Sequence, residues 1–131
     1  LQKTCKKNGI VFLIDEVQTG LGATGKLWAH EHFNLEDSPD IMTFSKKMQI
    51  GGYYYKEKFH TEPYRIFNTW LGDPIRILYL EAISNVIKRD NLIELNKETG
   101  NYLLEKLREM CKLYPKLIAN ARGLGTFAAF D

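Results

Sequence analysis

Two side chains in this 131-residue sequence are of types, and in surroundings, that suit covalent chemistry. Asp15 closes the run Gly9-Ile10-Val11-Phe12-Leu13-Ile14-Asp15. Lys46 closes Asp40-Ile41-Met42-Thr43-Phe44-Ser45-Lys46, 31 residues later. A lysine amine can condense with a carbonyl compound to form a Schiff base. A carboxylate close by can keep a cationic partner of that chemistry protonated. Each residue alone has a plainer reading. A polar residue often ends a strand, and the pair Lys46-Lys47 is commonly a solvated surface. Their shared position at the ends of apolar runs sets them apart.

Those runs have to be strands for the pairing to work. Ile10 to Ile14 hold five apolar residues without a polar break, as in a strand buried on both faces of a parallel α/β sheet. Asp40 to Phe44 reads as a second short strand. Open α/β sheets bind ligands outside the carboxyl ends of their strands, which puts Asp15 and Lys46 at the lip of one crevice. Tyr53-Tyr54-Tyr55 reads as a further strand or hairpin, its tyrosines serving packing. Asp73 is a good N-cap and Pro74 suits the first helical position. Ile75, Leu78, Tyr79, Ala82, Ile83, Val86 and Ile87 then recur at helical spacing, and Lys88-Arg89 suits the negative end. After Asp90-Asn91 a second helix runs from near Leu92 to before Pro115. Its stripe of Leu95, Thr99, Tyr102, Leu103, Leu107 and Met110 reads as core, like that of the helix before it. A turn at Arg122-Gly123-Leu124-Gly125 and a strand from Thr126 to Phe130 follow. Leu1 to Gly9 reads as the last turns of a helix closed by Asn8-Gly9. The class expected is α/β.

Two motifs invite other chemistry. Gly20-Leu21-Gly22-Ala23-Thr24-Gly25-Lys26 fits a phosphate-binding loop, but Leu27 stands where such a loop needs Ser or Thr for magnesium. A glycine-rich turn that lets backbone approach a ligand or another chain is the better reading. His30 and His32 could suggest a metal, but no third ligand appears at helical spacing. A short helix with one histidine packed and one solvated accounts for them, so no metal is expected. Cys5 and Cys111 have no metal or redox spacing and read as reduced thiols. Apolar content of 44% and a net charge of +2 are those of an ordinary globular chain, with no message about nucleic acid or membrane. The chain opens without Met and ends inside a strand, which reads as a piece of a longer protein.

A lysine held near an acid in a crevice is the combination pyridoxal phosphate chemistry uses. The lysine binds the cofactor's aldehyde, and the acid keeps its pyridine nitrogen protonated. The sequence resembles the class III, or ω-amino acid, aminotransferases along essentially its whole length. The resemblance rests on Phe12-Leu13-Ile14-Asp15-Glu16-Val17-Gln18-Thr19-Gly20 and Thr24-Gly25-Lys26-Leu27-Trp28-Ala29-His30-Glu31-His32. It continues through Asp40-Ile41-Met42-Thr43-Phe44-Ser45-Lys46-Lys47-Met48 and Tyr64-Arg65-Ile66-Phe67-Asn68-Thr69-Trp70-Leu71-Gly72-Asp73-Pro74. The run from Phe67 to Pro74 favours the 4-aminobutyrate branch over ornithine and other relatives.

The resemblance implies a fold-type I transferase with a mostly parallel sheet. Residues 1–90 would be the later part of the cofactor domain. Residues 91–131 would be a connecting helix and the start of a small C-terminal α+β domain. It implies that Asp15 pairs with the pyridinium nitrogen, Gln18 hydrogen-bonds the phenolic oxygen, and Lys46 rather than Lys47 carries the pyridoxal 5'-phosphate. Thr69 would bind the cofactor phosphate of a neighbouring subunit, making the site shared across a homodimer with Gly20 to Lys26 at its interface. Substrates would be a small amino acid and a 2-oxo acid, and the location in eukaryotes the mitochondrion. Ser45 before the lysine is shared with the 4-aminobutyrate branch. Gly51-Gly52-Tyr53-Tyr54 departs from the family in lacking a proline. The family's upstream half, with its phosphate cup, ring-stacking aromatic and carboxylate-binding arginine, is not in this sequence. Activity of these 131 residues alone is therefore not expected.

Overall fold

The computed structural model describes residues 1–131. Strands β1 (Leu13–Asp15), β2 (Ile41–Phe44) and β3 (Gly52–Tyr55) form one sheet in that order. β1 and β2 run parallel, with Leu13 opposite Ile41 and Asp15 opposite Thr43. β2 and β3 run antiparallel, with Phe44 opposite Gly52. The chain is α/β as expected, but its own sheet is mixed. Residues 45–51 explain this, because a parallel return needs a crossover of a dozen or more residues.

Alternation along the strands sorts their side chains. Trp28, Phe44 and Tyr54 form one aromatic cluster, with ring centroids 5.1 to 6.4 Å apart. Tyr53 and Tyr55 lie 5.6 Å apart as a separate pair. The tyrosines touch other aromatic rings but stay exposed, so they are not part of the core in this chain. β1 differs from expectation. It is an edge strand in this chain, and Ile10, Val11 and Leu13 keep about half their surface exposed.

The helices begin and end where their caps require. α1 spans Gln2–Lys7 and closes at Asn8, with Gly9 at φ +64°. α2 spans Pro74–Arg89, and the Asp73 carboxylate accepts from the Ile75 N–H at 3.0 Å. α3 spans Leu92–Leu113. The stripes read as core are not core here. Ile75, Leu78, Tyr79 and Val86 of α2 are exposed, as are Leu95, Tyr102, Leu103 and Met110 of α3. α3 instead turns Ile93, Asn96, Gly100 and Leu104 inward. Its partners are a glycine loop and the turn of a hairpin, where small and polar residues fit better than bulky ones.

That hairpin is β4 (Arg122–Leu124) paired with β5 (Phe127–Ala129). Arg122 to Leu124 is thus strand rather than turn, and the reversal falls at Gly125-Thr126. Cys5 and Cys111 are unpaired. No helix is long and apolar enough to cross a membrane. Seven of the eleven buried residues lie between Glu16 and Ala29: Glu16, Gly20, Leu21, Gly22, Thr24, Gly25 and Ala29. The best-packed part of the chain is therefore the segment that leaves the carboxyl end of β1.

Candidate active site

Parallel pairing brings the carboxyl ends of β1 and β2 side by side. Asp15 is the last residue of β1 and is exposed. Its Oδ1 accepts from the Val17 N–H at 2.9 Å and from the Thr43 hydroxyl at 3.0 Å, across the ladder. Its Oδ2 makes no hydrogen bond or ion pair within the chain. The carboxylate is thus oriented through one oxygen and open at the other.

Lys46 begins the 3₁₀ turn Lys46–Met48 that follows β2. Its φ is +51° and that of Gln49 is +58°, so two residues bearing β-carbons take the left-handed conformation within four positions. Such a backbone costs roughly 1 kcal/mol or more per residue, and strain of this kind concentrates at functional sites. The turn brings Lys46 to the segment after β1, where its Nζ donates to Oε1 of Gln18. Lys47 Nζ donates to the Gln18 carbonyl at 2.5 Å. Burial pushes the Lys47 ammonium below its ordinary pKa, the charge of Lys46 pushes it further, and Glu16 opposes both.

Beneath this pair lies a residue the sequence did not single out. Glu16 is 1% exposed. Its carboxylate accepts from the Thr19 hydroxyl, from the Ala29 N–H at 3.0 Å and from the His30 N–H at 2.8 Å, and it faces His30 Nδ1 at 3.0 Å. Burial alone would raise its pKa, but the bonds from Thr19, the two backbone amides and the His30 ring together hold it below the usual carboxylate range. Glu16 therefore ties the segment after β1 to the 3₁₀ turn Ala29–His32. The available signal was an ionisable residue directly after a buried run, with Thr19 three positions on. Both histidines are part-buried, so the expectation of a solvated one does not hold. His30 sits on Glu16, and His32 Nε2 lies 3.1 Å from the Thr24 carbonyl.

The glycine loop offers no phosphate cradle. The amides of Leu21 and Gly22 both donate to the Leu27 carbonyl, and that of Gly25 donates to Gly22. Lys26 Nζ donates to the Glu31 carbonyl at 2.9 Å. The loop is locked from the other side by Asn96 of α3, which donates to the carbonyls of Gly22 at 2.6 Å and Ala23 at 2.8 Å. Thr126 in the β4–β5 turn donates to Asn96 Oδ1 at 2.6 Å.

Thr69 is not gathered into the cluster. It lies in the exposed stretch 61–72, and its hydroxyl makes no hydrogen bond within the chain. Its neighbours Asn68, Trp70, Leu71 and Gly72 line an open groove of about 590 Å³ together with Lys46 and Arg76. Gln18 is thus brought to Lys46 and Lys47, and Asp15 to Thr43 on the neighbouring strand, while Thr69 bonds to none of them.

A carboxylate that ends one of two paired parallel strands and a lysine that follows the other, with an amide bound to the lysine, are groups that can hold a cationic ring and bind its aldehyde. The family profile described as aminotransferase class-III matches residues 1–131. The chain belongs to the class III aminotransferases. This family depends on pyridoxal phosphate. Over its whole length this class III chain is 52% identical to the mitochondrial 4-aminobutyrate aminotransferase of Sus scrofa and to the 4-aminobutyrate aminotransferase of Dictyostelium discoideum. It spans 26% and 27% of those proteins, about a quarter of their length. Among solved structures, the lysine aminotransferase of M. tuberculosis superposes on 98% of the chain with a TM-score of 0.89 and 30% identity, the chain covering 31% of it. The ornithine δ-aminotransferase of Plasmodium falciparum gives a TM-score of 0.86 and 28% identity over 98% of the chain and 34% of its own. Fold-type I architecture is common to these neighbours.

Proposed function

We propose that the protein carrying this segment is a 4-aminobutyrate aminotransferase. It moves the amino group of 4-aminobutyrate to 2-oxoglutarate, giving succinate semialdehyde and glutamate in two half-reactions. The observation that carries the reading is the parallel pairing of β1 and β2, which sets Asp15 beside Thr43 and leaves Lys46, just beyond β2, bonded to Gln18. The choice of donor rests on similarity. Relatives named for 4-aminobutyrate are 52% identical, whereas the structures named for lysine and ornithine are 28% to 30% identical.

The residues fit pyridoxal phosphate. When bound, it supplies a protonated pyridine ring that draws off electrons as a bond at the amino-bearing carbon breaks. Asp15, anchored through Oδ1, keeps a second oxygen free for the ring's N–H. Gln18 offers its amide to the phenolic oxygen. Lys46 would hold the cofactor covalently through Nζ. As a free amine Lys46 would carry a proton from the substrate's amino-bearing carbon to the cofactor carbon, as general base and then general acid, a role that contributes roughly 10² to 10⁴ in rate.

Thr69 binds the cofactor phosphate of a neighbouring subunit in a homodimer. Supporting this, its hydroxyl has no partner in its own chain, and the same stretch exposes Tyr64 at 97%, Phe67 at 79% and Trp70 at 77%. Residues 1–90 form part of the cofactor domain, and residues 91–131 lead into the small domain, in keeping with a separate β4–β5 sheet carried on α3. A mitochondrial matrix location follows the names of the mammalian relatives.

The test is to incubate the full-length protein with pyridoxal phosphate, reduce with borohydride, and map the modified peptide by mass. A pyridoxyl group on Lys46 is expected. A label on Lys47 or Lys26, or none on folded protein, overturns the assignment. Turnover of 4-aminobutyrate well above that of ornithine is expected in the same preparation, and the reverse preference overturns the substrate.

A further inference from the structure

Gln18 is exposed, yet the turn that carries it is fastened on both sides. Before it, the Val17 N–H donates to Asp15 Oδ1 at 2.9 Å. After it, the Gly20 N–H donates to the Glu16 carbonyl at 2.9 Å, and the Thr19 hydroxyl donates to Glu16 Oε2. The peptide N–H groups of Gln18 and Thr19 donate to no backbone carbonyl. Within the turn, Thr19 therefore supplies the side-chain anchor that follows Gln18. Its acceptor is itself fixed. Glu16 is 1% exposed, and its carboxylate is held by the amides of Ala29 at 3.0 Å and His30 at 2.8 Å.

We propose that Thr19 is a positioning residue for Gln18: its hydroxyl, bound to the buried Glu16 carboxylate, sets the direction in which the Gln18 amide is presented. The inference rests on the reading of Gln18 as the donor to the cofactor's phenolic oxygen. The other contacts of Gln18 come from the turn after β2, Lys46 Nζ on Oε1 and Lys47 Nζ on the carbonyl. A Lys46 engaged with the cofactor would no longer hold the Gln18 side chain. Lys47 reaches only the main-chain carbonyl. The aim of the amide then depends on the backbone of the turn. A donor stabilises charge on an oxygen best when it is already in place, and a group on a loop keeps its place when supporting hydrogen bonds lock it. A hydroxyl bonded to a carboxylate makes a stronger bond than one between neutral groups. Glu16 thus serves the site through Thr19 as well as tying the segment to the turn at Ala29–His32.

Thr19→Val keeps the branched shape and removes the hydroxyl, while Glu16 keeps its bonds from Ala29 and His30. Thr19→Ser keeps the hydroxyl. Gln18→Leu removes the amide itself. Each variant is made in the full-length protein and loaded with pyridoxal phosphate, with borohydride fixation on Lys46 as the check of loading. The readout is the visible absorption maximum of the bound cofactor, which responds to hydrogen bonding at the phenolic oxygen. Gln18→Leu should displace the maximum. Thr19→Val should displace it in the same direction, by about half as much or more, and the double variant should go no further than Gln18→Leu alone. Thr19→Ser should stay at the wild-type position. A maximum unmoved in Thr19→Val beside a displaced one in Gln18→Leu overturns the inference and leaves the reading of Gln18 standing. Displacements that add in full in the double variant also overturn it, since Thr19 would then act by another route. A Thr19→Ser maximum that coincides with that of Thr19→Val does the same, tracing the effect to the lost methyl. A maximum unmoved in Gln18→Leu overturns the reading of Gln18 and the inference with it.

Discussion

Replacing Glu16 should cost this protein more than replacing any residue on the rim of its site. The Glu16 carboxylate is buried and serves two backbone amides, one hydroxyl and one imidazole. In Glu16→Ala the amides of Ala29 and His30 lose their acceptor, and Ala29 is itself buried. A hydrogen bond to a charged group contributes about 1.5–3 kcal/mol, and these bonds share one acceptor, so their losses do not add in full. The expected destabilisation is about 3–5 kcal/mol. Glu16→Gln keeps one acceptor but turns an NH₂ toward the remaining donors, at a cost of about 2–3 kcal/mol. Urea unfolding of the full-length protein at neutral pH, followed by tryptophan fluorescence, measures both. The pH dependence adds a second check. Because the pKa of Glu16 is lower folded than its ordinary value of 4.5, its contribution is fully present above that pH. It is lost as pH falls from 4.5 through the depressed folded value. The gap between wild type and Glu16→Ala should therefore be constant at neutral pH and close in acid. A loss under about 1 kcal/mol, or a gap that widens below pH 4.5, refutes the reasoning.

Three further outcomes are expected. Asp15→Asn keeps an acceptor for Thr43 and Val17 but drops the charge, so amino transfer should fall by about a hundredfold or more while the unfolding midpoint stays near wild type. Gly100→Ala would drive a β-carbon into the backbone of Gly125, which itself sits at φ +56°. That overpacking should cost about 1–3 kcal/mol in a denaturant series. Asp73→Ala removes the cap on the Ile75 amide and should cost about 1 kcal/mol, read as a lowered unfolding midpoint with the pyridoxyl label still on Lys46.

Local rules reached the elements whose causes are local. Asp73 and Pro74 announced α2 because a capping carboxylate and a fixed φ act within one turn. The alternation of Tyr53 to Tyr55 announced β3 for the same reason. The apolar runs before Asp15 and Lys46 announced β1 and β2, whose parallel pairing aligns their carboxyl ends. Other features depend on what lies opposite. Whether the stripes of α2 and α3 are core depends on the elements that meet them, and α3 proved to face a glycine loop and a hairpin turn. The direction of β3 was set by the short connection before it, and the openness of β1 by its place at the sheet edge. The work of Glu16 and Lys47 was hidden because their partners, Ala29, His30 and Gln18, lie 13, 14 and 29 positions away. A sequence shows which side chains can ionise; only the fold decides which of them share a buried space, where a neighbouring charge or an unpaired amide outweighs intrinsic preference.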